Sequence, residues 1–183
     1  MNKTLALKHS LIVAALLALP LAQAATMAKP DYTAAKSKIS ADYKAAKAAC
    51  GAMSANAKDV CVEEAKAKEK VARAELEYGY TGKAKDQNTI LVVKAESTYA
   101  VAKEKCDDMK GNEKDVCVKQ AKAVEVKALA DAKMGKQIGE AKTDAAQDKR
   151  DADYKVAAEK CDAMTGDAKA SCMTAAKAKF GKS

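Results

Sequence analysis

The stretch Cys106-Asp107-Asp108-Met109-Lys110-Gly111-Asn112-Glu113-Lys114-Asp115-Val116-Cys117 sets two cysteines on either side of a helix-breaking glycine. The same frame occurs twice more, as Cys50-Met53-Cys61 and Cys161-Met164-Cys172, each time with ten residues between the cysteines and a methionine three places after the first. The first cysteines lie 56 and 55 positions apart (50 to 106, 106 to 161). A period of this length marks one structural unit copied three times rather than one irregular domain.

Two geometries compete for the spacing. Along an unbroken helix the two sulfurs of a pair would lie about 16 Å apart, at ~1.5 Å rise per residue. A disulfide needs Cα atoms within about 7 Å, so a continuous helix cannot close a pair within one copy. A turn at Gly111 brings the cysteines face to face across an antiparallel hairpin. Gly111 suits the left-handed position that closes a helix. Asn112 would then cap the next helix, with Asp115 as a capping-box-like acid near its positive end. The third copy repeats the turn as Gly166-Asp167 with Ala170 in place of the acid, and the first has Ala55-Asn56 and Asp59 but no glycine. Oxidised pairs of this loop size stabilise a fold by roughly 3 kcal/mol each. Local pairing within a copy is inferred from the repeat; counting alone leaves pairing between copies open.

The flanks repeat as well. Tyr43, Tyr99 and Tyr154 each precede a first cysteine by seven residues, two helical turns and therefore the same face. Tyrosine, cysteine and methionine are expected to line one stripe that packs the hairpin seam, with methionine as gap-filler. Downstream, Val62-Glu63-Glu64-Ala65-Lys66-Ala67 matches Val118-Lys119-Gln120-Ala121-Lys122-Ala123 and Met173-Thr174-Ala175-Ala176-Lys177-Ala178, small and apolar at helical spacing. Glu64 to Lys68, Glu69 to Arg73 and Asp151 to Lys155 are acid-to-base pairs that support exposed helices.

The expected fold is all-α: three tandem disulfide-clamped helical hairpins, about six helices, elongated or loosely bundled. The repeats span residues 25–82, 83–138 and a shortened 139–183. Tyr78-Gly79-Tyr80-Thr81-Gly82, continuing through Asp86-Gln87-Asn88, reads as the first linker. Gly135 and Gly139 leave the second junction as a loop or a bent continuous helix.

Residues 1–24 read as a secretory signal, with Lys3 and Lys8 at a basic start, an apolar run from Leu11 to Leu21, and Ala22-Gln23-Ala24 as the cleavage pattern. After its removal, 31 basic against 25 acidic residues leave a net charge of +6 over 159 residues. That charge is mixed along the chain, as on solvated helix surfaces. Only 18 Leu, Ile, Val or Phe residues then remain, a thin core of the kind that accompanies disorder. Abundant Ala, Lys and Glu favour helix instead. Disulfides formed in an oxidising compartment supply stability that the core lacks. No later stretch is long and apolar enough for a transmembrane segment.

The one histidine, His9, lies in the expected signal. Histidine-based catalysis and the usual zinc sites are therefore not expected, and the cysteine spacing is not that of a redox or zinc motif. No cofactor and no nucleic acid is expected, the basic residues forming no stripe interleaved with aromatics. The helices lack the Trp, Phe and Leu face of a membrane-surface binder. Cys50, Met53, Cys61, Cys106, Met109, Cys117, Cys161, Met164 and Cys172 form the alternative metal set, soft sulfur ligands suited to Cu(I) if the thiols are reduced.

The pattern Cys-x-x-Met-x-Gly-Asn-x-Lys-Asp-Val-Cys, intact at residues 106–117, resembles one in small Ala/Lys-rich exported bacterial proteins, many without an assigned function. Some of these are described as similar to the cell-envelope protein TolA, whose middle region is also a lysine- and alanine-rich helix. That likeness is compositional and covers the helical stretches of all three copies; TolA's role is not carried over. The expected function is a non-enzymatic structural or interaction role at the cell envelope, periplasmic or secreted, with an envelope protein or anionic envelope surface as partner. The alternatives are soft-metal binding in a stress-related periplasmic protein and a chaperone-like holdase.

Overall fold

The computed structural model describes residues 27–182. The expected signal at residues 1–24, with His9, lies outside them. Five helices follow in order: α1 (Lys29–Ala49), α2 (Ala55–Thr81), α3 (Ala84–Cys106), α4 (Gly111–Asp162) and α5 (Gly166–Phe180). A short 3-10 turn, Cys50–Ala52, follows α1. Among the described residues there is no strand, and no helix is long and apolar enough to cross a membrane.

The all-helical expectation holds, but six helices become five. Helix α4 runs unbroken for 52 residues through the second junction, about 78 Å at ~1.5 Å per residue. The second hairpin therefore shares a helix with the third. Neither Gly135 nor Gly139 takes a positive φ; each stays helical, about 1 kcal/mol less favourable than alanine. The Thr143 hydroxyl donates to the Gly139 carbonyl at 3.0 Å.

The first linker also shrinks, from the expected 78–88 to Gly82 and Lys83. Gly82 takes φ +63 and its amide donates to the Tyr78 carbonyl at 2.8 Å, the left-handed closure that only glycine adopts without penalty. The Thr81 hydroxyl bonds both the Asp86 carboxylate and the Lys83 amide, so side chains close the turn without further loop.

Among the described residues every helix packs against its neighbours in the chain and no other helix, giving an open serpentine. Helices α2 and α3 share the most extensive contact. Their antiparallel register shows in the ion pairs Glu64–Lys105 at 2.8 Å and Glu75–Lys94 at 2.7 Å. Glu64 thus turns to the opposite helix and not to Lys68; Asp151 likewise pairs with Lys182 and not Lys155, and Glu69–Arg73 forms as expected. Across a seam, a lysine of the antiparallel neighbour lies as near as one a turn away.

The core is as thin as the composition implies. Buried apolar positions are Ala65, Ala74 and Leu76 on α2, Ala95 on α3, Ala132 on α4, Ala176 on α5, and the first cysteine of each pair. Small side chains at a helix contact allow close approach of the axes, so backbone proximity replaces side-chain volume. Residues 140–150 of α4 are exposed throughout, with only Glu140, Thr143 and Asp144 bordering a groove with the start of α3.

Candidate functional site: the clamped hairpin tips

All six cysteines close within their own copies: Cys50–Cys61, Cys106–Cys117 and Cys161–Cys172, with Cα separations of 5.7, 5.7 and 5.5 Å. Each first cysteine ends or follows an incoming helix and is buried, while each second cysteine lies in the outgoing helix, half-buried. The methionine amide donates to the first cysteine's carbonyl at 3.1 Å for Met53, 3.0 Å for Met109 and 3.0 Å for Met164. Two residues later the chain takes φ +51 at Ala55, +56 at Gly111 and +58 at Gly166. One turn is thus built three times in the same conformation.

Its chemistry differs from the sequence expectation in two places. Gly111 does not close the incoming helix, which ends at Cys106 with Asp107 as its cap; it is the first residue of α4. Its left-handed φ turns the chain into the outgoing helix. Asn112 does not cap α4 either, since Lys110 holds that position and no side chain bonds the free amides there. Its counterpart Asn56 donates across the seam to the Glu104 carbonyl at 2.9 Å, a second donor to an oxygen that already accepts from the Asp107 amide. That bond ties the first tip to the second. Both sit at one end of the array, and the third lies at the far end of α4, about 66 Å along the helix from Cys117 to Cys161 at ~1.5 Å per residue.

Two tips carry an ion pair over the turn, Asp107–Lys114 and Asp162–Lys169, both at 2.9 Å. The first copy has Gly51 and Lys58 at those places. Sequence reading passed over this pair, although an acid one place after the first cysteine and a lysine eight places after it were visible. Its exposed groups contribute little to stability.

The methionines do not fill gaps. Met53, Met109 and Met164 are 48, 42 and 44 % exposed, because the residue lies past the helix end with its amide pinned to the cysteine carbonyl. The tyrosines do pack the seam: Tyr43, Tyr99 and Tyr154 are half-buried. The Lys122 ammonium sits 4.8 Å from the Tyr99 ring centre, and Tyr154 meets Phe180 edge-on at 6.4 Å. Lys122 is held above the usual lysine range by its bond to Glu125, as is Lys66 by Glu63.

These tips offer sulfur and little else to a ligand. A disulfide sulfur is no thiolate donor, so a soft-metal site would need reduction, after which each tip presents two thiolates and a thioether. Among the described residues no group of three or more His, Cys, Asp or Glu side chains is placed to hold a metal ion. No protein-family model, curated protein or solved structure matches the chain.

Proposed function

We propose that the chain is a non-enzymatic exported protein with a structural or interaction role at the cell envelope, its contact surface being the mixed charge of its helix faces. The observation that carries this reading is the threefold construction of one clamped turn. What is repeated is scaffold: a disulfide, a pinned backbone, a tyrosine in the seam. Three disulfides fit an oxidising compartment such as the periplasm or the exterior. Helix α4 adds reach, holding tips far apart on one rod. Co-sedimentation of the purified protein with anionic lipid vesicles and with isolated envelope material tests the role. Binding that weakens as salt screens the charges is expected. A defined turnover activity, or no retention by either material, counts against it.

A second reading, soft-metal binding, gains support from the three exposed thioethers. It requires reduced cysteines in the native compartment and stoichiometric Cu(I) uptake. Protein isolated from that compartment without a titratable thiol would eliminate it.

A further inference from the structure

The α2–α3 seam has a second copy in the sequence, and both of its halves lie on α4. Aligned on the cysteines, each residue of α2 corresponds to the one 56 positions later (61 to 117), and each of α3 to the one 55 positions later (106 to 161). The ion pair Glu75–Lys94 thereby becomes Asp131 and Lys149. Lys68 and Val101, which line opposite sides of the α2–α3 groove, become Val124 and Val156; Val71 and Thr98 become Lys127 and Asp153.

In the first case a turn at Gly82 brings the two halves together. On α4 they belong to one unbroken helix and cannot meet within it. All six residues are exposed, Val124 by 57 % and Val156 by 56 %. They share one stripe, continued by steps of three or four through Met134, Ile138, Lys142 and Ala145. Helix α3 covers the adjoining face of α4, at Glu125, Ala128 and Ala132, so that Val124 and Asp131 stand at the rim of the α3–α4 groove with their outer sides exposed, and α5 covers another, at Asp151 and Tyr154.

We propose that this stripe pairs with α4 of a second copy of the chain, antiparallel and about a two-fold axis. The first half of each α4 then receives the second half of the other, as α2 receives α3. Transposing the α2–α3 register sets Asp131 against the second copy's Lys149, Lys127 against its Asp153 and Val124 against its Val156. Symmetry supplies each of these twice. The charges are opposite in both polar pairs, so the stripe is complementary to itself, as an isologous interface requires. Folding α4 back on itself would require a break near residue 138. The residue that corresponds to Gly82 is Ile138, and a β-branched side chain is a poor occupant of the left-handed region.

Sedimentation equilibrium of the purified protein over a wide concentration range tests the pairing. A reversible dimer is expected. Asp131→Lys should raise its dissociation constant about tenfold or more, since two attractive pairs become repulsive. Asp131→Lys combined with Lys149→Asp should restore it to within about threefold. Both residues are exposed, so circular dichroism should show unchanged helix in each variant. A monomer at every concentration, or a dimer that ignores the first variant or is not rescued by the second, overturns the proposal.

Discussion

Ala55 holds a backbone conformation that the other two copies give to glycine. For an alanine the left-handed region is unfavourable by roughly 1–2 kcal/mol, because Cβ crowds the following carbonyl. Replacing it by glycine removes that strain but frees the unfolded chain, so Ala55→Gly should stabilise by about 0.5 kcal/mol net. The reverse changes, Gly111→Ala and Gly166→Ala, should each destabilise by about 1 kcal/mol. An added Cβ at either glycine meets nothing within 4 Å, so urea melts of these variants read the backbone term alone. Ser97 makes a second local test. Its buried hydroxyl has no hydrogen-bond partner in the α2–α3 seam, and the corresponding residue of α4 is Ala152. Ser97→Ala should stabilise by about 1 kcal/mol in the same melts, an unsatisfied buried group being lost without a new one.

At the level of helices, the short α5 is joined to α4 by one clamp, the Tyr154–Phe180 contact and the Asp151–Lys182 ion pair at 2.6 Å. Lys182 holds the Asp151 carboxyl below the usual carboxylate range. A folded-state value below the unfolded one means that the pair stabilises above the unfolded value and is lost as pH falls through the folded one. Lys182→Gln should therefore return the Asp151 carboxyl toward its ordinary midpoint in an NMR titration and flatten the acid limb of α5 docking. The hairpins themselves were legible in the sequence because turn, clamp and spacing are local: ten residues between cysteines and a glycine leave little choice. Pairing between elements was less so. Gly135 and Gly139 carry the same turn signal as Gly79 and Gly82, yet of the four only Gly82 ends a helix. A glycine permits a break without imposing one, and at Gly82 the bonds among Thr81, Lys83 and Asp86 decide for the turn. The exposed methionines escaped for a related reason, their stripe having been extrapolated past the end of the helix that defines it.

For the whole molecule, packing only between chain neighbours makes stability a sum of adjoining interfaces, each held by its own seam. Such a chain opens in parts, from its least supported end, and a single unfolding free energy does not describe it. Helix α5 is that end: it has 15 residues, touches α4 alone, and is about the length at which an isolated helix becomes marginal in water. Removing the third clamp by Cys161→Ala with Cys172→Ala takes away roughly 3 kcal/mol of loop constraint from this unit. Hydrogen exchange should then show α5 and the last turns of α4 losing protection while the α2–α3 amides keep theirs. Cys106→Ala with Cys117→Ala should act elsewhere, loosening the α3–α4 seam and leaving α5 protected on its own clamp. Equal loss of protection over every helix from either pair of substitutions would instead mean that the array unfolds as one unit. In that case contacts between consecutive helices would have to be coupled along the full length of α4, and the exposed segment at 140–150 is where such coupling has least to act through.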